Sequence, residues 1–184
     1  MFETYIISLQ KDKERRNWME SIKDKIGLDF KFFDAIETNY ISEQIIERYF
    51  SKTDFNLWDV NEKAVMATFM SHIELLKYSM NTKTNLLILE DDIDIVKRYN
   101  WKDVNFEEFD LYNVGKLASC HSYFVSYQGA SKILEHFDNI IITQAYDWEL
   151  YKIKHINTKL IREPLFIQTN EFVSNIAPNG YKLK

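Results

Sequence analysis

The sequence predicts an α/β fold in which helices flank a mostly parallel sheet. Segments of strand composition alternate with segments of helical periodicity along the 184 residues, as they do in β-α-β units. Four consecutive apolar residues, Leu86-Leu87-Ile88-Leu89, indicate a strand that is buried on both faces inside such a sheet. Three carboxylates, Glu90-Asp91-Asp92, follow this strand directly, at the strand end where open α/β sheets bind their ligands.

Composition predicts one folded domain over residues 1–184. The hydrophobic share of 46% and the aromatic share of 15% exclude a disordered chain. The net charge is −5 without a Lys/Arg block, so we expect no nucleic-acid partner. Cys120 is the only cysteine, which excludes an internal disulfide. No signal-peptide pattern or transmembrane run is found, so we expect a cytoplasmic protein, with peripheral membrane association left open.

The first half of the chain alternates between the two periodicities. Trp18, Ile22 and Ile26 recur at four-residue spacing and predict a helix that Gly27 can cap. Asn61 is placed to cap a longer helix. In order, we predict a strand at residues 4–9, a helix at 11–26, a strand at 30–36, a helix at 41–50, a loop at 52–59, a helix at 61–80 and the buried strand at 84–89.

The second half predicts shorter elements. Aromatic and β-branched residues mark the strands, and Gly115 closes the first of them. In order, we predict strands at residues 109–114 and 121–126, a helix at 128–137, a helix starting near residue 147, and two late strands at 159–161 and 164–167.

The acidic triplet predicts a cation site. Glu90 and Asp92 lie two residues apart, so they point to the same side of an extended chain. Adjacent like charges are costly unless a cation or water neutralises them. Mg²⁺ or Mn²⁺, which prefer oxygen ligands, are the expected occupants. The alternative is a solvated acidic loop before a helix that Ile95 and Val96 would begin.

Three further residues are candidates for ligand contacts. Arg15 lies on the inward side of the first helix and could meet a phosphate or a base, whereas Arg16 is more typical of a side chain that snorkels to solvent. Asp34 ends the second strand, where an acid can bind a ribose hydroxyl. His72 lies on or beside an apolar helix stripe, and it is either a satisfied core histidine or a ligand.

A late carboxylate is the candidate base. Asp147 lies between Tyr146 and Trp148, and an aromatic setting can raise the pKa of an acid and suit it to general-base catalysis. The alternative is a helix-start acid favoured by the helix dipole, and Glu149 is a second acid in the same segment.

Together these motifs resemble glycosyltransferase family 25, which includes lipopolysaccharide and procollagen galactosyltransferases. The matching segments run through nearly the whole chain in order: Tyr5-Ile6-Ile7-Ser8-Leu9, Asp12-Lys13-Glu14-Arg15-Arg16, Phe33-Asp34-Ala35, Ser71-His72, Leu87-Ile88-Leu89-Glu90-Asp91-Asp92, Asp110 to Gly115, Tyr123 to Ser126 with Gly129-Ala130, Asp147, and Glu163-Pro164-Leu165.

The resemblance implies a GT-A-type, Rossmann-like fold. It also implies an inverting transfer of galactose or glucose from a UDP-sugar donor to a hydroxyl of a glycan or protein acceptor, with Mn²⁺ or Mg²⁺ as cofactor. On this basis, donor binding is expected of Ser8, Arg15, Asp34, His72 and Asp91, metal binding of Glu90 and Asp92, and catalysis of Asp147.

Two other functions fit parts of the sequence. A nucleotidyltransferase would also use an acidic metal triplet, but it usually has a glycine-rich loop after its first strand, and Ser8-Leu9-Gln10-Lys11 has no glycine. An inactive nucleotide-sugar-binding relative is the second alternative. It is suggested by departures from the family pattern at Ala64, Ala67 and Thr68, in the short segment 116–122, and at Asn175, where an acid is common.

Overall fold

A computed structural model describes residues 1–51, 61–116, 119–174 and 176. The predicted loop at 52–59, Asn175 and two residues of the segment 116–122 lie outside the described residues. Among these residues, the α-helices and strands are β1 (Phe2–Ser8), α1 (Lys13–Ser21), α2 (Lys23–Ile26), β2 (Lys31–Asp34), α3 (Glu43–Tyr49), α4 (Glu62–Thr82), β3 (Asn85–Glu90), β4 (Ile93–Ile95), β5 (Leu111–Asn113), β6 (Ser122–Val125), α5 (Tyr127–Asp138), α6 (Tyr146–Tyr151), β7 (Thr158–Leu160) and β8 (Phe166–Gln168).

In the part of the chain that the structure describes, the main sheet has six strands in the order β2-β1-β3-β6-β5-β7. Parallel pairings join β1 to β2, β1 to β3 and β5 to β7, whereas β6 runs antiparallel to both β3 and β5. The predicted α/β class with a mostly parallel sheet is therefore confirmed. The antiparallel β6 brings its first residues to the edge where β1, β2, β3 and β5 end.

The sheet separates two apolar layers, because successive side chains of a strand point to opposite faces. On one face, Leu86 and Ile88 of β3 pack in the larger cluster with residues from α3, α4, α5 and α6. On the other face, Leu87 and Leu89 pack with residues from α1 and α2 and with Phe166 of β8. All four of these β3 side chains are fully buried, so the strand is covered on both faces as its apolar run predicts.

Local capping sets the helix boundaries. The Asn61 side chain accepts a hydrogen bond from the Ala64 N–H at 3.2 Å, which confirms the predicted cap of α4. The helix predicted over residues 11–26 is instead two helices, because Ile22 leaves the helical conformation with φ −99° and ψ 4°. Gly27 ends α2 with φ +70°, a left-handed conformation that glycine adopts without steric cost.

The segment after the triplet differs from the alternative expectation of a solvated loop followed by a helix. Ile93–Ile95 form the short strand β4, which pairs antiparallel with β8, and Ile95 does not begin a helix. Ile93 is fully buried in the second apolar layer. A three-residue strand has no periodicity to detect, and its partner lies more than 70 residues away along the chain.

A close helix–strand contact at Gly129 gives the first testable prediction. The Asp110 carbonyl accepts the Ser126 N–H at 3.0 Å just before α5, and a Cβ at Gly129 would lie 2.2 Å from that carbonyl oxygen. We expect Gly129→Ala to lower the free energy of unfolding by about 1–3 kcal/mol, as overpacking does. Urea titration measures the change. Ser131→Ala, at an exposed position on the same helix, is the control, and equal stability of the two variants would contradict the contact.

None of the helices in the described ranges is long and apolar enough to cross a bilayer.

Candidate active site

The candidate site lies at the edge where the parallel strands end. Ser8 of β1 pairs with Asp34 of β2, and Ile7 pairs with Glu90 of β3, so these three strands end almost level. The Glu90 N–H also donates to the His121 carbonyl at 2.8 Å, which ties the start of β6 to the same edge. The fold thus gathers most of the predicted site residues from separate parts of the chain.

The three carboxylates of the triplet have different surroundings. The Asp91 Oδ1 accepts a hydrogen bond from the Arg15 guanidinium at 2.8 Å, and both side chains are largely buried. The Asp92 Oδ2 lies 3.5 Å from the same guanidinium. The other oxygen of Asp92, Oδ1, is buried and has no hydrogen-bond partner among the described residues. Such an oxygen is costly to bury unless a ligand satisfies it.

Burial, with a smaller contribution from neighbouring carboxylates, disfavours the ionised forms of Glu90 and Asp92. Burial, together with the charge of Glu90, raises the pKa of Asp92 to about 7. Burial also raises the pKa of Glu90, with a smaller contribution from the charge of Asp91. A bound cation would remove this penalty, since it favours the ionised form of both acids.

The donor set fits a divalent cation that shares its coordination with a ligand. Among the described residues, no three His, Cys, Asp or Glu side chains converge to hold a metal by themselves. Mg²⁺ in phosphate-binding sites is commonly held by one or two carboxylates, with substrate phosphates and water completing the shell. Glu90 and the unpartnered Asp92 Oδ1 can supply the two protein oxygens of such a site.

Arg15 acts as a counter-charge to the triplet. Besides Asp91, its guanidinium donates to the Val173 carbonyl at 2.9 Å and lies over the Phe172 ring. The segment after β8 therefore crosses the site edge, where the Thr169 N–H also donates to the Asp92 carbonyl at 2.7 Å. The inward position predicted for Arg15 is observed, and its contact with a donor phosphate or base stays a prediction.

Removing Arg15 is expected to destabilise the protein. Arg15→Ala leaves the buried Asp91 carboxylate without its partner, and loss of one member of a buried ion pair costs about 3–5 kcal/mol. Chemical denaturation of Arg15→Ala, with the exposed Arg98→Ala as control, measures this cost. The double variant Arg15→Ala/Asp91→Ala should recover part of it. A single variant as stable as the wild type would show that the pair contributes nothing.

Arg16 has a more specific position than its sequence context suggests. Its guanidinium donates to the Ser8 carbonyl at 2.9 Å and to the Asp34 carboxylate at 2.5 Å, and it stacks over Phe32. It therefore joins the ends of β1 and β2, and the prediction that it only snorkels to solvent is wrong. Ser8 itself is buried, whereas Asp34 is exposed at the rim of a cavity.

That cavity lies beside the ends of β1 and β2 and has a volume of about 470 Å³, within the range of small-molecule sites. Its lining includes apolar side chains from α3 and α4 as well as four polar ones. The lining residues are Gln10, Asp34, Ala35, Ile36, Glu37, Tyr40, Ile41, Ile45, Met70 and Glu74. Apolar walls with a few acceptors suit the planar base and hydroxyls of a nucleoside.

The Ser71-His72 pair of α4 contacts both the loop after β2 and the end of β3. The Ser71 hydroxyl accepts the Ile36 N–H at 2.9 Å, which anchors the loop after β2 that lines the cavity. His72 is buried, with Nδ1 2.9 Å from the Tyr123 hydroxyl and Nε2 3.4 Å from Glu90 Oε1. Burial lowers the pKa of His72 to about 3, so its ring is neutral. Both nitrogens face protein partners, and a direct donor contact stays a prediction.

Helix α6 brings Asp147 close enough to the triplet for the charge of Glu90 to act on it. Its neighbour Tyr146 stacks on the His72 ring at 4.2 Å, and His72 contacts Glu90. Burial raises the pKa of Asp147, and the charge of Glu90 adds to the rise. Its Oδ1 accepts the Trp148 N–H at 2.9 Å. A half-buried acid with a raised pKa suits proton abstraction, although its place in the first turn of α6 also fits the helix-start alternative.

Glu149 is occupied by structural contacts. Its Oε1 accepts hydrogen bonds from the Thr143 N–H at 2.8 Å and the Thr143 hydroxyl at 2.7 Å, and Lys152 pairs with its other oxygen at 3.2 Å. The side chain is buried. Asp147 is therefore the better placed acid of this segment.

Sequence reasoning missed the buried tyrosines that contact His72. Tyr123 of β6 bonds to the imidazole, and Tyr146 lies 3.1 Å from the Tyr123 hydroxyl and stacks on the ring. Tyr123 lies in one of the matching segments and Tyr146 lies beside Asp147, but neither is a candidate by sequence because nothing there indicates that they contact His72. The His121 backbone, which accepts from Glu90, gave no local signal either.

Comparison with known structures supports the fold. A glycosyltransferase involved in glycosylation of the major capsid of PBCV-1 aligns over 94% of this chain and 95% of its own, with 10% identity and a TM-score of 0.51. The galactosyltransferase LgtC, solved with donor and acceptor sugar analogues, aligns over 94% of this chain and 88% of its own, with 8% identity and a TM-score of 0.53. At these identities the likeness shows the GT-A-type fold alone.

Comparison of sequences identifies the family. No curated protein sequence matches the chain significantly. The sequence model of glycosyltransferase family 25, described as LPS biosynthesis protein, matches residues 1–111. This segment contains the Ser71-His72 pair and the acidic triplet, whereas Asp147 lies beyond it. Since the match covers more than half of the sequence, the chain belongs to glycosyltransferase family 25.

Proposed function

We propose that this protein is a metal-dependent inverting glycosyltransferase that moves galactose or glucose from a UDP-sugar to a hydroxyl of a glycan or protein. Family membership supports sugar transfer. The observation that carries the metal dependence is the unpartnered buried Oδ1 of Asp92 next to Glu90, at the end of a central strand. Ligands of open α/β folds bind at this edge.

The donor is assigned to the cavity and the triplet. The nucleoside is placed in the cavity, where Asp34 can accept hydrogen bonds from ribose hydroxyls. Strand register puts Asp34 and Glu90 two strands apart, or about 10 Å at the usual strand spacing. If the nucleoside lies in the cavity and its diphosphate extends towards the centre of the sheet, the diphosphate reaches Glu90 and Asp92.

Glu90 and Asp92 would hold Mn²⁺ or Mg²⁺, which when bound offsets the negative charge that develops on the departing UDP. Arg15 has a supporting role in this arrangement. Its contacts with Asp91 and Asp92 lower the net charge of the triplet and keep the site folded before any ligand arrives.

Asp147 is assigned as the general base. In an inverting transfer, the acceptor hydroxyl attacks the anomeric carbon, its proton passes to a carboxylate, and the bond to the UDP oxygen breaks. The raised pKa of Asp147 makes it a stronger base than an ordinary aspartate while it remains ionised above that pKa. The exposed Trp148 ring beside it offers an apolar surface for an acceptor sugar.

One experiment tests the proposed function. The protein is incubated with a panel of UDP-sugars and Mn²⁺, and binding and donor hydrolysis are measured with and without EDTA. We expect one UDP-hexose to bind and to be hydrolysed slowly, and EDTA to abolish both. Binding without any turnover, even with candidate acceptors present, would favour the inactive binding relative, and no binding of any UDP-sugar would contradict the proposed donor.

A further inference from the structure

Four polar side chains from four elements form a continuous hydrogen-bond network, which we call the tyrosine–histidine network. The Tyr146 and Tyr123 hydroxyls are 3.1 Å apart, Tyr123 lies 2.9 Å from His72 Nδ1, and His72 Nε2 lies 3.4 Å from Glu90 Oε1. Both tyrosines and the histidine are at most 4% exposed. The network thus runs from the buried core below α6 to the acidic triplet.

The chemistry of Glu90 decides the direction of these hydrogen bonds. A carboxylate that binds a cation has no proton to donate, so His72 Nε2 must carry the hydrogen that the pair shares. In a neutral ring Nδ1 is then unprotonated and accepts from the Tyr123 hydroxyl. The Tyr123 oxygen can in turn accept from Tyr146. Stacking of His72 on Tyr146, at 4.2 Å and 3° between planes, fixes the orientation of the ring.

We propose that His72 is a positioning residue for the metal-binding carboxylate of Glu90. Tyr123 and Tyr146 hold the imidazole in its Nε2–H form, and the Nε2–H holds Glu90 Oε1, which leaves Oε2 to bind the cation. His72 therefore acts on the donor through Glu90 rather than by touching it. The inference rests on the proposed metal-dependent function.

The first test measures Mn²⁺ affinity by calorimetry without any sugar donor. We expect His72→Phe and Tyr123→Phe to bind Mn²⁺ about 10–100-fold more weakly, the usual effect of losing a residue that orients a metal ligand. His72→Gln should stay within a few-fold of the wild type because its amide nitrogen can replace Nε2–H, whereas His72→Asn should behave like His72→Phe.

Two controls separate this effect from general damage. Tyr112→Phe removes a hydroxyl from a buried tyrosine on β5, outside the network, and should leave Mn²⁺ affinity unchanged. Asp92→Ala gives the background from binding elsewhere on the protein. Thermal unfolding of each variant shows whether it is folded, and Tyr123→Phe and His72→Gln keep the test valid if His72→Phe does not fold.

The second test does not depend on metal. The protein has four histidines, and long-range ¹H–¹⁵N NMR with the His72 variants for assignment gives the protonation state of His72. We expect the Nε2–H form in the metal-free wild type at a pH where Glu90 is ionised, and a changed Nδ1 chemical shift in Tyr123→Phe, which loses the hydrogen bond to that nitrogen. A ring protonated on Nδ1, or equal Mn²⁺ affinity in all variants, would overturn the inference. A wild type that binds no Mn²⁺ but shows the Nε2–H form would instead refute the proposed metal dependence.

Discussion

Asp92→Ala is expected to abolish metal-dependent binding of UDP while leaving the fold intact. Asp92 is one of two carboxylates available to a cation, and its Oδ1 has no other partner among the described residues. Loss of one of two protein ligands should leave UDP affinity in Mn²⁺ no higher than in EDTA. Calorimetric titration of UDP under both conditions measures this effect.

The stability of the same variant provides a second, independent readout. Burial and the charge of Glu90 raise the pKa of Asp92 to about 7, so the metal-free protein loses stability as pH rises from the ordinary aspartate pKa towards that value, and the full cost is present above it. We therefore expect Asp92→Ala to unfold at the same temperature as the wild type or higher at pH 8. This trade of stability for function is typical of binding sites.

Asp94→Ala is the matched control because Asp94 lies only two residues further along, where its Oδ1 accepts the Ile95 N–H. It should bind UDP and Mn²⁺ like the wild type. The metal assignment would be wrong if Asp92→Ala bound them equally well, or if Asp94→Ala lost binding to the same degree.

Asp147→Asn is expected to lower kcat by about 10²–10⁴, the usual contribution of a general base. The amide keeps the shape of the side chain and can still accept the Trp148 N–H, but it cannot take up the acceptor proton. UDP-sugar affinity should hardly change, since donor binding is assigned to the cavity and the triplet. Steady-state kinetics with an identified acceptor separates kcat from both KM values.

The pH dependence of kcat/KM provides a further test of Asp147 as the base. Burial raises the pKa of Asp147 above the usual aspartate value, so the base form is lost as pH falls through that raised pKa. We expect the wild-type kcat/KM to decrease on the acidic side of that pKa and the Asn variant to lack this decrease. Asp138→Asn, at the exposed end of α5, should show wild-type kinetics.

Three outcomes distinguish the roles of Asp147. A near-normal kcat and KM would leave it as an acid of the first turn of α6, favoured by the helix dipole. A raised acceptor KM with normal kcat would make it an acceptor-orienting residue. Neither result would shift the role to Glu149, because Thr143 and Lys152 already occupy its carboxylate.

Features that depend on neighbouring residues were predictable from the sequence. The four apolar residues before Glu90 require burial on both faces, and β3 is fully covered. Asn61 caps α4 through its own side chain, and Gly27 ends α2 in the left-handed conformation. The α/β class follows from such local signals because periodicity and capping act within a few residues of each other.

Only the tertiary structure decided how separated segments meet. Arg15 binds Asp91 across 76 residues of sequence, and His72 joins Tyr123 across 51. Contacts between distant segments also set the antiparallel direction of β6, the pairing of β4 with β8 and the role of Arg16. A side chain's propensity is set by its own chemistry, but its partners are set by how the whole sheet and its helices pack. The sequence alone therefore located the acidic triplet, and the packing of distant elements determined which carboxylate oxygen was left for a ligand.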